Sequence, residues 1–390
     1  MPPAIPAPIP AETRLLICCA RTTVSPDLAL EIRALLCGTL HWDVLVAAAA
    51  ENSVAPLVER QFRAVAPDLV PSLQMNRIAS INKESALRTL LLTGELLKIV
   101  EALEAQGLQT IPYKGPALAV QAYGDLSLRA FEDLDILVAH EHIAKVHETM
   151  QQLGYQPSLA SVRPSNVASS VIPGEYKYYG SGSGSIVEFH TERTLRHFPV
   201  SPDLESFARN GVRIALSGRE ILTLCLEDAL VALCIHGAKD FWERLIWIAD
   251  VAQIVQSQPL DWERVFRSAE IFKAQRMLRL GMILAGEIFD APIPGAPMTQ
   301  ARDDPVACAL ACQMERQLLI RSAVPLSAAG RFAFRRRSVP GLLAGWGYAL
   351  RLATVPAQDD VQMVRLPERL RAVYALVRPI RLLFKFRANG

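Results

Sequence analysis

The feature that most constrains the fold is an alternation of strand and helix signals in residues 113–138. A short β-compatible run ends in Lys114-Gly115, a helical segment follows, and a second strand carries Asp133 and Asp135. Side chains on a strand alternate between its two faces, so these two carboxylates point the same way. Like charges on one face are costly unless a cation lies between them, and Mg²⁺ takes one or two carboxylates together with substrate phosphates. The spacing therefore predicts a divalent-metal site on this strand.

The flanking patterns place this stretch in a small sheet. Apolar residues recur at helical spacing over residues 76–106, and Gly107 suits the left-handed position just past a helix end. Two strand-like runs, residues 175–179 and 186–190, enclose a turn rich in Gly and Ser and are typical of a β-hairpin. We expect residues 157–173, rich in Ser and Val, to form a mobile loop beside the site.

A third carboxylate lies on the returning strand of that hairpin. Glu188 and His190 share a face by the same period of two. Glu188 could therefore lie beside the Asp133/Asp135 strand and complete an acidic cluster. The alternative is a solvated edge-strand glutamate with a surface histidine, and spacing alone does not decide between the two.

The chain divides by composition and pattern into five regions. We expect a disordered leader at 1–25, an N-terminal helical region at 26–80, an α+β core at 81–200, a helical domain at 201–330 and a basic helical segment at 331–390. In the helical domain His236 and Asp250 are polar residues on apolar helices, and a lone histidine there is more often a core residue than a catalyst.

The basic segment carries twelve Lys or Arg against three Asp or Glu. Its last helix is apolar on one face and basic on the others, which fits docking on the core, nucleic-acid binding or contact with an anionic membrane surface. Docking is the interpretation we favour, so nucleic acid is a conceivable partner but not the expected one.

Bulk composition excludes several classes. The 390 residues carry a formal charge of only +2, so the whole molecule is not an obvious polyanion binder. No uncharged apolar run is long enough to span a membrane, and the proline-rich start lacks the basic and apolar parts of a signal peptide. None of the seven cysteines has Cys-x-x-Cys spacing, which argues against a zinc site. A cytoplasmic protein with reduced thiols is expected.

Several motifs in the same order resemble a known family. Lys-Gly-x-x-Leu-Ala, Tyr-Gly, Arg and Asp-x-Asp-x-Leu-Val are followed by Val-Glu-Phe-His, and the helical region and C-terminal end match as well. This set resembles the uncharacterised nucleotidyltransferase family, which is similar to the DNA polymerase β-like nucleotidyltransferase superfamily. The resemblance covers most of the chain, from about residue 30 to 386, and it implies an α+β fold: a small mixed β-sheet core flanked by N-terminal and larger C-terminal helical regions.

The resemblance also implies a reaction and its residues. Asp133 and Asp135 would be shared ligands of one or two Mg²⁺ ions, with Glu188 as the third carboxylate. Lys114, Gly115, Arg129 and His190 would bind the nucleoside triphosphate, which we expect to be ATP. The enzyme would transfer a nucleoside monophosphate to a hydroxyl of a small molecule, peptide or protein and release pyrophosphate. Genes of such families tend to accompany biosynthetic operons, but the acceptor and the oligomeric state are not readable from the sequence.

Two departures bear on this interpretation. Lys114-Gly115 stands where the superfamily has Gly-Gly or Gly-Ser, although Gly115 still lets backbone amides approach a phosphate at a helix N-terminus. The alternative role for Lys114 is a salt bridge to the acidic strand. Glu188 replaces the more usual Asp, so a catalytically inactive nucleotide-binding or partner-binding protein with the same fold is the rival hypothesis.

Overall fold

The computed structural model describes residues 9–158, 174–182, 184–191, 204–319 and 326–354, with scattered positions between 366 and 381. The loop expected at 157–173 therefore lies almost entirely outside the described residues, and so does most of the basic C-terminal helix. Within the described part, no helix is both long and apolar enough to cross a membrane. The seven cysteines are free thiols, four of them buried and Cys37 exposed.

Five helices open the chain, and the first of them corrects the expectation of a disordered leader. They are α1 (Ala11–Cys19), α2 (Pro26–Leu36), α3 (Trp42–Glu51), α4 (Ala55–Val65) and α5 (Ser72–Glu104). Leu15 and Cys19 of α1 are completely buried in the main core. The leader prediction was wrong for residues 11–19 because the prolines end at Pro10, which leaves an apolar helical run free to pack.

Helix α5 starts four residues before the predicted position and buries only part of the predicted apolar stripe. Leu96, Val100 and Leu103 pack in the core of the sheet, whereas Leu87 and Leu91 are exposed. The helix runs for 33 residues and its hydrophobic partners among the described residues cover only some of its turns. Periodicity predicted the helix correctly, but it could not show which turns of the helix other elements of the fold would cover.

A five-stranded mixed sheet forms the centre of the α+β fold. Its strands are β1 (Thr110–Pro112), β2 (Asp133–Val138), β3 (Tyr155–Pro157), β4 (Glu175–Gly180) and β5 (Ile186–His190), in the order β1-β2-β5-β4-β3. Strands β2 and β5 pair in parallel, and the other neighbours are antiparallel. Helix α6 (Gly115–Tyr123) connects β1 to β2, and α7 (Ile143–Gln152) follows β2. The β4–β5 hairpin confirms the two strand-like runs seen in the sequence.

Helices dominate the region after the sheet, as expected, but it begins with a two-stranded hairpin that the sequence analysis missed. Strands β6 (Val212–Leu216) and β7 (Arg219–Thr223) pair across Ser217-Gly218, whose positive φ angles suit a tight hairpin turn. Leu216 and Ile221 are buried against the core of the five-stranded sheet. The prediction of a helical domain from residue 201 did not include this hairpin, because five-residue strands are too short to be recognised among helical patterns.

The remaining helices form one core together with the N-terminal helices. They are α8 (Leu204–Asn210), α9 (Leu226–Lys239), α10 (Leu245–Ser257), α11 (Trp262–Ile271), α12 (Gln275–Phe289), α13 (Gly295–Arg302), α14 (Pro305–Leu319), α15 (Ala328–Ser338) and α16 (Leu342–Thr354). A single hydrophobic cluster joins α1–α4 to α9, α10, α12 and α14. Helices from two distant parts of the sequence therefore share one hydrophobic core.

The described start of the basic segment docks on this core. The Arg335 guanidinium on α15 donates two hydrogen bonds to the carbonyl oxygen of Lys239 at the end of α9, at 2.9 and 2.7 Å. Arg276 of α12 in turn donates to the carbonyl oxygens of Arg337 and Val339. These contacts use basic side chains to satisfy backbone carbonyls that would otherwise lack partners.

Candidate functional site

The site begins where the chain turns from β1 into α6. Gly115, the first residue of the helix, has a φ angle of +50°, a conformation that side-chain-bearing residues rarely adopt. A Cβ atom at this position would lie 3.5 Å from the backbone oxygen of Asp133 and 3.6 Å from the Phe131 ring. These distances are ordinary van der Waals contacts, so the positive φ angle, rather than a close approach, is what favours glycine at this turn.

The sheet brings the predicted acidic residues together. Asp133 and Asp135 lie on one face of β2, and Glu188 on the parallel neighbour β5 stands directly opposite Asp135. Asp135, Glu188 and His190 are all buried, and each offers a ligand atom within 4.8 Å of the other two. Asp133 lies outside this tight group, one pleat earlier on the strand. We call Asp135, Glu188 and His190 the acidic cluster.

Lys114 supplies a positive charge to the acidic cluster through Asp135. Its Nζ atom donates to Asp135 Oδ1 at 3.1 Å and lies 3.4 Å from His236 Nδ1 on α9. Burial by itself would lower the pKa of Lys114, but the attraction of Asp135 and Asp133 outweighs burial and raises it. The amine is therefore a firmly charged group, and the salt bridge considered as an alternative for Lys114 is present.

His190 belongs to the same cluster. Its Nε2 atom is 2.7 Å from Asp135 Oδ1, and its Nδ1 atom is buried without a hydrogen-bond partner in the described part of the chain. Burial disfavours the Asp135 carboxylate, yet Lys114 and the hydrogen bond from His190 hold the pKa of Asp135 well below its usual range. Asp135 is thus ionised at every physiological pH.

Asp133 shows the opposite behaviour. Burial, followed by repulsion from Asp135, raises the pKa of Asp133 to about 6. Two neighbouring carboxylates on one strand therefore differ strongly in proton affinity, a pattern typical of sites where one group carries charge and the other handles a proton.

Glu188 has a cationic partner of its own. Lys177 on the adjacent strand β4 places its Nζ atom 2.5 Å from Glu188 Oε1. The other carboxylate oxygen, Oε2, lies 3.8 Å from His190 Nε2. Glu188 is therefore part of the acidic cluster, but it is not an uncompensated charge.

Arg129 is engaged away from the acidic cluster. Its Nε and Nη2 atoms each donate to a carboxylate oxygen of Asp250 on α10 at 2.8 Å, and the Tyr123 hydroxyl donates to the same carboxylate at 2.7 Å. Burial by itself would lower the pKa of Arg129, but Asp250 outweighs it and raises that pKa. The pair ties α10 to the loop before β2, so the described contacts of Arg129 are those of a structural ion pair.

A cavity of about 630 Å³ lies beside β2. Asp133, Asp135, Lys114 and Gly115 form one side of it. The other walls come from three helical regions: the α3–α5 segment, the end of α9 and the first turn of α10, whose contributions include Ser53, Asn82, Arg88, His236, Arg244 and Trp247. A volume of this size can hold a nucleotide-sized ligand.

The structure adds residues that spacing did not single out. His236, which spacing favoured as a core histidine, faces the cavity; burial and nearby Lys114 lower its pKa well below the usual range, so its ring is neutral. Arg88 belongs to α5 and Ser53 lies in the turn after α3, both far from β2 in sequence. His236 contacts Lys114 and Trp247 on other elements, and no local sequence pattern reports such contacts.

Comparisons with known proteins place the chain in a family. The model of a family described as uncharacterised nucleotidyltransferase matches residues 38–290, more than half of the chain. A solved structure, that of an antigenic nucleotidyltransferase-like protein from Paracoccidioides brasiliensis, is similar at 12% sequence identity with a TM-score of 0.33. The match covers 54% of this chain and 95% of that one. A search of curated proteins found no significant match. Because the family model matches more than half of the chain, the chain belongs to the uncharacterised nucleotidyltransferase family.

Proposed function

We propose that this protein is a Mg²⁺-dependent nucleotidyltransferase that moves a nucleoside monophosphate from an NTP, which we expect to be ATP, to a hydroxyl of an acceptor. One observation carries the proposal: Asp133 and Asp135 share a face of β2 at the wall of a nucleotide-sized cavity, and Asp135 adjoins Glu188 from the parallel strand. The acceptor belongs to the small-molecule, peptide or protein classes, each of which can present a hydroxyl.

The donor set fits a divalent cation. Asp135 and Glu188 offer carboxylate oxygens, the ligand type that Mg²⁺ prefers, and His190 adds a ring nitrogen within the same 4.8 Å group. The His190 nitrogen nearest to the carboxylates is Nε2, 2.7 Å from Asp135 Oδ1 and 3.8 Å from Glu188 Oε2, and Asp133 can contribute from the cavity side. These four residues would hold the ion.

The chemistry is in-line displacement at the α-phosphorus. Mg²⁺ held there would supply positive charge that stabilises the transferring phosphoryl group and the leaving pyrophosphate. The acceptor oxygen forms a bond to the α-phosphorus while the bond to the oxygen that bridges to the β-phosphate breaks. The hydroxyl proton is released to water in the cavity as the new bond forms, and Asp133 keeps its role among the residues that would hold the ion. Lys114 and the N-terminus of α6 at Gly115 provide positive potential at the cavity wall.

The rival hypothesis is a non-catalytic protein that keeps the fold and binds a nucleotide or a partner. It is favoured by one observation: Lys114 and Lys177 already neutralise Asp135 and Glu188 at 3.1 and 2.5 Å. A catalytic site must exchange at least one of these contacts for a metal ion.

Transfer of label separates the two hypotheses. The purified chain is incubated with Mg²⁺, each of the four NTPs labelled at the α-phosphate, and fractionated cell extract as a source of acceptors. We expect labelled acceptor and unlabelled pyrophosphate from at least one NTP. The rate of label transfer should fall about 100-fold or more in Asp133→Asn and Asp135→Asn. Asp303→Asn, an exposed change outside the cavity, is the matched control.

Label transfer that survives both strand substitutions would falsify the metal assignment. Absence of transfer with every NTP and every fraction, alongside measurable nucleotide binding, would instead support the non-catalytic rival.

A further inference from the structure

The basic side chains around the cavity differ in whether they already have a hydrogen-bond or ion-pair partner. Lys114 and Arg129 each bind a carboxylate, Asp135 and Asp250 respectively. Arg88 donates from Nη2 to the backbone oxygen of Glu132 at 3.0 Å. Among the described residues, Arg244 makes no side-chain hydrogen bond and no ion pair, although it lines the same cavity and is half-buried. Arg244 is therefore a cation with open donors on the cavity wall.

The backbone around Arg244 is firmly held. Arg244 is the N-cap residue of α10, with φ and ψ angles of −119° and 134°. The next two amides are occupied by the end of α3, because Leu245 N–H donates to Asn52 Oδ1 at 2.9 Å and Ile246 N–H donates to the Asn52 backbone oxygen at 3.3 Å. Because these two amides already have acceptors, an anion at this end of the cavity would be bound by the Arg244 guanidinium rather than by the backbone N–H groups of Leu245 and Ile246.

The start of α10 contributes two side chains to the cavity wall. Arg244 lines the cavity from the N-cap position and Trp247 from the first helical turn. Trp247 packs edge-on against the ring of His236 with 5.0 Å between ring centroids, which fixes the wall next to Arg244. One turn further on, Asp250 holds Arg129, so that carboxylate is already used.

We propose that Arg244 is the residue of the cavity that binds the phosphate chain, a role that the resemblance implies for Arg129 among other residues. This inference rests on the proposed function and names the residue that binds the triphosphate end of the nucleotide. A guanidinium presents several N–H donors in a planar fork that matches two phosphate oxygens at once, which an ammonium group cannot reproduce. The open donors of Arg244 are therefore suited to a polyphosphate ligand.

Binding of inorganic triphosphate tests the assignment without requiring turnover. Titration calorimetry with Mg²⁺-triphosphate compares the wild type with Arg244→Ala, Arg244→Lys and the control Arg267→Ala, which removes one equal charge from an exposed ion pair on α11. We expect Arg244→Ala to weaken binding about 10- to 100-fold, the value of one or two charge-assisted hydrogen bonds. Arg244→Lys should recover only part of the loss, and Arg267→Ala should bind as the wild type does.

The outcomes separate this inference from the proposed function. Equal affinity of Arg244→Ala and the wild type for triphosphate, or no binding by the wild type, overturns the role of Arg244. Loss of affinity that equals the loss in Arg267→Ala also overturns it, because net charge alone then explains the effect. Triphosphate binding that depends on Arg244 supports the role even if no nucleotide transfer is found, in which case only the catalytic proposal fails.

Discussion

Two buried charge centres lie close to the start of β2 in the structure, and they differ in how far their charges satisfy one another. In the first, Arg129, Asp250 and Tyr123 satisfy one another through three hydrogen bonds of 2.7–2.8 Å, and the positive and negative charges cancel. In the second, the acidic cluster and Asp133 bring three carboxylates together beside a cavity. The buried Nδ1 of His190 lacks a partner within the described ranges.

The difference teaches how the same residue types divide between stability and function. A closed, bidentate pair in the interior holds two elements in register, but breaking it leaves an uncompensated buried charge. An acidic centre that meets a cavity keeps unequal proton affinities and a surplus of ligand atoms, features that are useful for binding a cation. Closure of the hydrogen bonds, rather than the presence of charge, separates the two centres: Arg129 also lines the cavity, but its Nε and Nη2 atoms both donate to Asp250.

The largest expected effect is on the closed centre. Asp250→Ala should lower the free energy of unfolding by about 3–5 kcal/mol, because it leaves the Arg129 guanidinium buried without its carboxylate. Urea denaturation followed by circular dichroism measures the change. The double variant Arg129→Met/Asp250→Leu should recover part of the loss, since no buried charge remains. An Asp250→Ala protein as stable as the wild type would show that this centre is not closed.

Metal addition probes the open centre. At about 100 times its dissociation constant, Mg²⁺ should raise the free energy of unfolding of the wild type by ~2.7 kcal/mol relative to EDTA. Asp135→Asn should lose most of this gain, whereas Asp250→Ala should keep it, because Asp250 contributes no ligand to the acidic cluster. Thermal denaturation with and without Mg²⁺ gives both values. An equal gain in Asp135→Asn would place the bound ion elsewhere.

The pH dependence of stability reports on Asp133. Its pKa of about 6 in the folded protein lies above the ordinary value of 3.8, so the folded state binds more protons than the unfolded state between these values. The stabilisation is complete below about pH 4 and is lost as the pH rises through about 6, by about 3 kcal/mol for the difference between 3.8 and about 6. Asp133→Asn should lack this loss in metal-free buffer. Identical slopes for the two proteins over this window would contradict the raised pKa.

The smallest expected effect concerns Lys177. Its pair with Glu188 is partly exposed on the lysine side, with 35% of that side chain accessible, so Lys177→Met should change stability by less than about 1 kcal/mol. Removing a competing cation should also strengthen Mg²⁺ binding, by a few-fold. Calorimetric titration of Mg²⁺ provides the test, with Lys145→Met on α7 as the control. Weaker Mg²⁺ binding in Lys177→Met would indicate that Lys177 supports the cluster.

Short-range patterns predicted the local parts of the site well. The period of two on a strand correctly placed Asp133 and Asp135 on one face, and Glu188 and His190 on another strand. Positions that depend on distant packing were missed. His236 was interpreted as a core histidine, and Arg129 was assigned to phosphate, because neither residue carries a local signal of its partner on another element.

By itself, the sequence determined the family, the α+β class and the order of the elements around β2, since these follow from periodicity and from motifs read along the chain. Only the tertiary structure decided which charge serves which purpose. The register of β2 against β5 set Glu188 opposite Asp135, and the packing of α10 gave Asp250 to Arg129 and left the donors of Arg244 open to the cavity. The physical reason is that an ion pair depends on the distance between two side chains in space. Arg129 and Asp250 are 121 positions apart, so no local sequence pattern contains that distance.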